Sequence, residues 1–420
     1  MLHNSKVWTK TTLGDFLSLQ RGHDLTHMER QEGDVPVMGA AGQNGYHNMA
    51  IAKSPGIVVG RSGGSFGKVH LARKDFWPHN TALYVTDFKG NDPYFTYYFL
   101  KLLDFSSLNS GSAQPSLNRN FLYPLSVYVP KPFEQKIIGQ TLFSIDAKIE
   151  LNNKINKELE AMAKLLYDYW FVQFDFPDIN GKPYKSSGGK MVYNEELKRE
   201  IPEGWEVNEL GEEIDIQRGV SYKSSEINGE GIPMINLNSF NLDGTYKVKG
   251  IKMFSGKYLD KSLVSSGDLL IAVTDVTRNA DIIGKAILVP DFYSELVISM
   301  DIAKVIPSNN LSETYLMMLF NTEHYHNYIK WYASGTIVLH LNMQGMKWYK
   351  AEIPPKNLLD KFDSIYKPIA KRISETTKQN QKLTELRDWL LPMLMNGQVT
   401  VGEAEEKLGM VAEAVEKYGV

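Results

Sequence analysis

The 420-residue sequence contains no cysteine, which excludes disulfide bonds and metal sites built on thiolate ligands. It also has no run of the roughly 18 apolar residues that a membrane-spanning helix needs. The first residues, MLHNSKVWTKTT, lack the apolar core of a signal peptide. These absences predict a cytoplasmic protein. The hydrophobic fraction of 43% is ample for packed cores, and the length indicates two or three domains.

Sequence motifs for catalysis are absent as well. The Gly-rich segment GRSGGSFGKV at 60–69 departs from a phosphate-binding P-loop, because Ser62 replaces a required glycine and Val69 follows the Gly-Lys pair. NDPY at 91–94 lacks the second proline of the Asn-Pro-Pro-Tyr loop of DNA adenine methyltransferases, and it is better explained as a helix start. The histidine pairs, His23 with His27 and His324 with His326, lack a third metal ligand. The sequence therefore predicts a chain without catalytic residues, metal ligands or a cofactor of its own.

The formal net charge is only −3, and it comes from the C-terminal end of the chain. Residues 403–420 hold five glutamates and two lysines, which leaves zero net charge for residues 1–402. One basic patch, TYKVKGIKMFSGKYLDK at 245–261, has five lysines against one aspartate. Two interpretations of this patch stay open: a sheet edge protected by lysines, or a surface that faces phosphate groups.

Two stretches of the sequence are similar, LGDFLSLQRG at 13–22 and LGEEIDIQRG at 210–219. The similarity continues with FGKV at 66–69 and IGKA at 283–286, and with the segments that end at Asn118 and Asn342. The displacement between the copies grows from 197 to 217 and then to 224 residues. Because the displacement only increases, we interpret the chain as a tandem duplication whose second copy carries loop insertions.

Each copy combines a globular part with a long helix. Short apolar runs such as GIVVGRSGG and GDLLIAVTD predict strands, whereas DPYFTYYFLKLL and SETYLMMLFNTEHYHNYIKWY have helical periodicity. The predicted fold class is α+β, with two tandem globular domains separated by two long antiparallel coiled-coil helices in a pseudo-two-fold arrangement. The predicted boundaries are 1–132 and 205–355 for the globular domains, 133–172 and 356–396 for the helices, 173–204 for a polar linker, and 397–420 for an acidic helical tail. We expect the tail to pack on the first domain or on a partner protein.

The two helices carry matching seams of residues spaced three and four apart. These are Leu142, Ile145, Ile149, Asn152, Asn156, Leu159, Ala163, Leu166 and Trp170, and 224 positions later Tyr366, Ile369, Ile373, Thr376, Asn380, Leu383, Arg387, Leu390 and Leu394. Helix 1 leads into the second domain and helix 2 leaves it, so paired helices must be antiparallel. Pairing would place Asn152 near Asn380 and Asn156 near Thr376, as polar layers that fix the register. The alternative is two amphipathic helices, each packed on its own domain.

Two similar domains on a spacer suit a ligand with two-fold pseudosymmetry, and duplex DNA is one. A spacer of about 42 Å compares with a DNA helical turn of about 34–36 Å. Arg and Lys suit guanine edges or phosphates, and Asn and Gln suit adenine. The candidate DNA-binding residues are Arg61, Ser62, Lys68, Gln114, Asn118 and Arg119 in the first copy, and Thr274, Arg278, Asn279, Lys285, Thr336, His340 and Asn342 in the second.

Three motifs carry a resemblance to a known family: PKPFEQ at 130–135, GSAQPSLN at 111–118 and IPEGWE at 201–206. With the order of domains and helices, they make nearly the whole chain resemble the specificity subunit of a type I restriction-modification system. The second copy departs from the pattern, since GTIVLHLN lacks the Gln-Pro pair and PPKNLLDKF lacks the Glu-Gln pair.

The resemblance implies two target-recognition domains, each reading one half of a bipartite, asymmetric double-stranded DNA site. It implies that the helices set the spacing and dock two modification subunits, which carry S-adenosylmethionine and methylate adenine. Restriction subunits, which use ATP and Mg, join them for translocation and cleavage. The chain itself would be non-catalytic. An alternative hypothesis is a two-headed adaptor that binds proteins and uses the coiled coil as a spacer.

Overall fold

A computed structural model of the chain describes residues 8–108, 116–399 and 402. The chain divides into two compact units: unit 1 is Met1–Asn152 with Gln379–Val420, and unit 2 is Asn153–Lys378. Unit 1 is thus assembled from both ends of the chain, whereas the predicted domains follow one another along it. The predicted contact residue Gln114 and residues 403–420 of the predicted tail lie outside the described residues.

Unit 1 is built on antiparallel strands. Its described strands are Trp8–Thr12 (β1), Ser18–Arg21 (β2), Val35–Gly39 (β3), Gly42–His47 (β4), Gly56–Gly60 (β5), Val69–Ala72 (β6), Trp77–Pro78 (β7), Ala82–Asp87 (β8) and Ser126–Pro130 (β9). The main sheet has the order β2-β8-β5-β6 and is antiparallel throughout. A second sheet, β4-β3-β7, contains one parallel pair, β3 with β7, and β1 pairs with β9.

The helices of unit 1 cover the main sheet. They are Leu13–Phe16 (α1), Pro93–Leu102 (α2), Arg119–Leu122 (α3) and the first part of Pro132–Tyr167 (α4), with 3₁₀ turns at His27–Glu29, Gly63–Ser65 and Ser106–Leu108. The predicted helix in DPYFTYYFLKLL is confirmed as α2. It begins at Pro93 because the Asp92 carboxylate accepts a hydrogen bond from the Phe95 amide at 2.8 Å.

Unit 2 repeats this plan with additional strands. They are Met191–Asn194 (β10), Arg199–Pro202 (β11), Glu206–Glu209 (β12), Ile214–Arg218 (β13), Ile232–Ile235 (β14), Lys252–Phe254 (β15), Leu263–Val264 (β16), Leu269–Ala272 (β17), Thr274–Asp275 (β18), Ala286–Leu288 (β19), Leu296–Ile298 (β20), Ile302–Pro307 (β21), Ala333–Ser334 (β22), Leu339–Leu341 (β23) and Lys350–Ile353 (β24). The sheet orders are β13-β21-β17-β19, β15-β14-β20-β16 and β18-β23-β22, with the pairs β12-β24 and β10-β11. The first of these has the order and antiparallel directions of the unit 1 main sheet.

The helices of unit 2 are Leu210–Glu213 (α5), Glu313–Phe320 (α6), Glu323–Ile329 (α7), Gln344–Lys347 (α8) and part of Lys356–Met395 (α9), with 3₁₀ turns at Ser224–Glu226, Leu237–Ser239, Val248–Gly250, Asp260–Ser262 and Lys330–Tyr332. The segment SETYLMMLFNTEHYHNYIKWY forms two helices rather than one. Ser312 caps the first, as its sequence position indicates, but the Thr322 hydroxyl accepts from the Tyr325 amide at 3.2 Å and starts a second.

The predicted polar linker at 173–204 is more structured than its composition indicates. It contains the hairpin β10-β11, and its aromatic side chains pack on one another. The Phe176 ring stacks on Tyr184 at 4.7 Å and on Trp205 at 5.5 Å between ring centroids. Aromatic residues spaced among Lys, Gly and Ser supply this small core.

The two long helices, α4 and α9, each run through both units. Helix α4 continues through one π turn at Asp168–Val172, and α9 ends at Met395. Every predicted seam position is buried or half-buried. Side chains from both helices enter one core in each unit, for example Leu142 and Leu390 in unit 1 and Tyr167 and Phe362 in unit 2. Within the described ranges, no helix has the length and apolarity that crossing a membrane requires.

Candidate nucleic-acid interface

An open, polar cleft lies at one edge of the unit 1 main sheet. It has a volume of about 750 Å³ and is lined by Gln20, Arg21, Gly22, His23, Asp24, Arg61, Leu83, Ser116, Leu117, Asn118 and Arg119. Two backbone hydrogen bonds connect the segments that line it. The Arg61 amide donates to the Thr81 carbonyl at 2.9 Å, and the Leu117 amide donates to the Arg61 carbonyl at 2.8 Å. Three of the candidate residues from the sequence, Arg61, Asn118 and Arg119, therefore meet in one cleft.

The two candidate arginines of this cleft are each held by one backbone carbonyl. Arg61 donates to the Asn80 carbonyl at 3.3 Å and Arg119 donates to the Leu19 carbonyl at 3.1 Å. Neither forms an ion pair within the part of the chain that the structure describes. A guanidinium has five N–H donors, so most of their hydrogen-bonding capacity remains available to an anionic or base ligand.

The remaining unit 1 candidates differ in position. Asn118 is exposed, and its side-chain oxygen accepts from the Asn120 amide at 3.0 Å, so it caps α3 and keeps its NH₂ group for another acceptor. Ser62 forms an isolated antiparallel β-bridge with Ser116, next to the cleft. Lys68 is exposed at the end of the turn that follows β5.

Unit 2 reproduces the backbone of the cleft at equivalent positions. The Leu341 amide donates to the Val273 carbonyl at 2.9 Å, as Leu117 does to Arg61, and Val273 donates to the Asp301 carbonyl at 2.9 Å. The side-chain oxygen of Asn342 accepts from the Gln344 amide at 3.1 Å, just before α8, as the side-chain oxygen of Asn118 accepts from the Asn120 amide. The candidate interface in each unit is thus carried by the same local scaffold.

The candidate side chains of unit 2 divide by exposure. Arg278, Asn279, Thr336, His340 and Asn342 are exposed. Thr274 is not available at the surface, because its side chain is only 3% exposed inside the sheet β18-β23-β22. Lys285 is 9% exposed, and burial, followed by the nearby charge of Lys330, lowers the pKa of its amine.

The structure identifies a supporting residue that the sequence reasoning missed. Asp275 is fully buried, and its carboxylate accepts from the amides of Thr277 at 2.6 Å, Ile282 at 2.6 Å and Ile283 at 3.1 Å. These bonds hold the loop that presents Arg278 and Asn279. An aspartate that bonds the amide two residues on is a recognisable turn signal, and TDVTRN contains it. Gln20, Arg21 and His23 were also missed, although the repeated QRG of both copies points to this edge.

The lysine-rich segment 245–261 includes β15, the edge strand of its sheet. Lys252 lies in this strand, with its ammonium 5.8 Å from the centre of the Tyr222 ring, and the other four lysines are exposed. An edge strand with lysines is protected against pairing with another chain. The same arrangement also suits phosphate contacts, so both interpretations remain.

The predicted register residues are brought together between the helices. In unit 1, Asn152 is buried and donates to the side-chain oxygens of Gln379 at 2.7 Å and Asn380 at 2.9 Å. In unit 2, Asn156 donates to the Thr377 hydroxyl at 3.0 Å and accepts from the Thr376 hydroxyl. Both polar layers are therefore hydrogen-bonded across the pair of helices.

The comparisons with known proteins agree with this architecture. Residues 5–161 and 202–386 match the family model described as the type I restriction modification DNA specificity domain. This match covers most of the chain, and the chain belongs to that family. The family predicted from the sequence motifs is thereby confirmed.

Curated relatives from two organisms match most of the chain. The type I restriction enzyme MjaIX specificity subunit of Methanocaldococcus jannaschii is 26% identical over 363 residues, covering 83% of this chain and 78% of that protein. The MjaVIII specificity subunit of the same organism is 22% identical over 423 residues, which is 95% of each chain. The HindI specificity subunit of Haemophilus influenzae is 22% identical over 338 residues, covering 68% and 71%.

A solved structure supports the fold. The crystal structure of a type I restriction-modification system S subunit from M. genitalium aligns with a TM-score of 0.66 at 19% identity. The alignment covers 94% of this chain and 98% of that one. The tandem, mixed helix and sheet architecture of this chain is therefore that of a known S subunit.

Proposed function

We infer that this chain is the DNA-specificity subunit of a type I restriction-modification system. One structural observation carries the inference beyond family membership. The same antiparallel sheet occurs twice, and in each copy Arg and Asn side chains are carried by the same backbone framework. In unit 1 the Leu117 amide bonds to the Arg61 carbonyl, and in unit 2 the Leu341 amide bonds to the Val273 carbonyl. Each globular part reads one half of a bipartite, asymmetric DNA site.

The exposed side chains suit base recognition. A guanidinium pairs with the two acceptors of a guanine edge, and an amide pairs with adenine. In unit 1, Arg61, Arg119 and Asn118 supply these groups, and in unit 2 Arg278, Asn279 and Asn342 do. Arg61 and Arg119 have no carboxylate partner within the described residues, which supports an anionic or polar ligand at the cleft. Because the framework is shared and the side chains differ, the two halves of the site have different sequences.

The two long helices act as an antiparallel coiled coil. Its support is the order of contacts within each unit: Asp146 meets Arg387 and Asn152 meets Asn380 in unit 1, and Asn156 meets Thr376 in unit 2. As the residue number increases along α4, the residue number of the partner on α9 decreases. The polar layers fix this register, since a shift would leave buried Asn and Thr groups unpaired. In this role the helices set the distance between the two half-sites.

The helices also dock the modification subunits. Met162 is 57% exposed and Leu165 is 66% exposed, and with Tyr169 they form an apolar stripe on α4 at helical spacing. The positions 224 residues later hold Leu386, Trp389 and Met393, which are also apolar but half-buried, and Leu386 and Trp389 pack on the unit 1 core. Apolar residues at equivalent positions of both helices fit two copies of one partner. These partners would bring S-adenosylmethionine, and restriction subunits would bring ATP and Mg, while this chain contributes no catalytic group.

The experiment that tests the function combines partner assembly with methylation mapping. The chain is co-expressed with N6-adenine methyltransferase subunits from its own genome, and the host DNA is sequenced by a single-molecule method that detects methyladenine. We expect a bipartite motif, methylated on opposite strands and lost when this chain is omitted. An active, purified complex that methylates no motif would instead support the adaptor hypothesis.

A further inference from the structure

A large apolar side chain is exposed at the candidate interface of unit 2. Ile337, at the tip of the hairpin β22-β23, is 84% exposed, and Val276 is 64% exposed. Thr274 pairs with His340 and Asp275 pairs with Leu339. This register brings the start of the 276–282 loop and the hairpin tip out at the same end of the sheet β18-β23-β22. Both exposed apolar residues thus lie at one end of this sheet.

The hairpin tip is held by its backbone and not by burial of Ile337. Ser334 pairs with His340, and the Asn342 amide donates to the Tyr332 carbonyl at 2.9 Å, which fixes the base of the hairpin. Gly335 has a φ of 140° and its α-carbon faces the Val338 carbonyl, where a side chain would clash. Leaving an isoleucine in water forgoes the favourable free energy of burying its side chain. A hairpin shaped to present such a residue suits a ligand contact.

The surroundings of Ile337 indicate which ligand this is. Its exposed neighbours in sequence or sheet are Thr336, His340 and, on the adjoining loop, Arg278 and Asn279. These polar and cationic side chains suit base edges and phosphates. The centre of a protein–protein interface is instead enriched in Tyr, Trp and Phe, and none of these four neighbours is one of those residues. An apolar side chain beside Arg and Asn matches the major groove of DNA, where thymine is the base that presents a methyl group.

We propose that Ile337, supported by Val276, contacts the C5-methyl group of a thymine in the half-site that unit 2 reads. The methyl group is then a recognition element of that half-site, in addition to hydrogen bonds from the polar side chains. This inference rests on the proposed function and names one chemical feature of its DNA ligand.

Replacing thymine by deoxyuridine tests the contact, because it removes the methyl group and leaves base pairing intact. The assembled complex with modification subunits is titrated with duplexes in which each thymine of the half-site is replaced in turn. We expect one replacement to weaken binding about fourfold, the factor for burying one methyl group. Ile337→Ser should weaken binding to the natural site by a similar factor and bind the thymine and deoxyuridine duplexes equally.

The matched control is Ile179→Ser, because Ile179 is 100% exposed but lies in the 173–204 segment. It should keep both the affinity and the deoxyuridine effect. One contrary outcome is that the complex binds its bipartite site while no deoxyuridine replacement weakens binding, or while Ile337→Ser leaves the effect of the replacement unchanged. In either case the inference is wrong and the proposed function stands. If Ile337→Ser instead impairs assembly with modification subunits, the tip contacts protein and the inference is also wrong. A complex that binds no bipartite site refutes both proposals.

Discussion

The two units close the same turn with different lengths of chain. In unit 1 the Gly60 amide donates to the Lys68 carbonyl at 2.7 Å, and in unit 2 the Ala272 amide donates to the Lys285 carbonyl at 3.0 Å. The equivalent backbone hydrogen bond thus joins residues eight positions apart in unit 1 and thirteen positions apart in unit 2. The extra residues carry Arg278 and Asn279. Strand order is shared between the units, whereas the loops that carry the candidate residues differ, so the loops can change without a change in the scaffold.

The largest expected effect comes from removing the support of the longer loop. Asp275→Ala would leave three buried amides without their charged acceptor, so we expect unit 2 to lose about 3–5 kcal/mol of stability. Recognition of its half-site should be lost with it. Urea unfolding measures the stability, and methylation mapping measures the recognition.

Asp281→Ala is the control for this change, since Asp281 lies in the same loop but is half-buried and accepts none of these three bonds. It should cost well under half as much stability. Equal losses for the two variants would show that Asp275 is not what holds the loop.

The helix pairs offer a second contrast between the units. In unit 1 the Asp146 carboxylate accepts from Arg387 at 2.8 Å and from the Tyr98 hydroxyl at 2.6 Å. Burial, then the bond to Asp146, raises the pKa of Tyr98, so this hydroxyl stays a donor. The equivalent positions of unit 2, displaced by 224, are Ala370 and Ala163. An ion pair in one unit therefore corresponds to two small apolar residues in the other.

Asp146→Ala should destabilise unit 1 by about 2–3 kcal/mol, because in a largely buried site it leaves Arg387 with only its exposed neighbour Asp388 as a partner. The double variant Asp146→Ala with Arg387→Ala reproduces the unit 2 arrangement and removes that incompletely paired charge. It should be more stable than the single variant in urea unfolding. A double variant that loses as much as the sum of the two single variants would contradict this account of the pair.

The smallest expected effect concerns the apolar stripe on α4. Leu165→Lys should weaken docking of one modification subunit about tenfold and leave the second bound, since the equivalent positions on α9 are unchanged. Native mass spectrometry of the complex would report one modification subunit instead of two. Lys157→Ala, an exposed change on the same helix, should leave both. Loss of both subunits from Leu165→Lys would place the docking surface elsewhere.

Local patterns predicted much of the fold, because strands, helix caps and the duplicated order of elements are determined by nearby residues. The seam residues followed from their three and four spacing, and they are buried or half-buried. One aspect depended on tertiary contacts and was not predicted. Thr322 splits a helix that periodicity alone would continue. The end of α9 belongs to the same compact unit as the beginning of the chain, as expected for a second helix that returns to the first domain.

The candidate site was predicted by residue type but not by exposure. Arg61, Asn118 and Arg119 line one cleft. Thr274 looked equally suitable in sequence, yet strand pairing with His340 buries it. A polar side chain that follows a strand can point either way, and only the sheet register decides which.

The central claim is that each unit reads its own half of one DNA site. Methylation mapping of two variants of the assembled complex tests it most directly: Arg61→Ala with Arg119→Ala in unit 1, and Arg278→Ala with Asn279→Ala in unit 2. Each lost base contact is worth about 1–3 kcal/mol of discrimination. The account predicts that the first variant relaxes the sequence of one half-site only and the second relaxes the other half only. Relaxation of the same half by both variants, or of neither half, would contradict it.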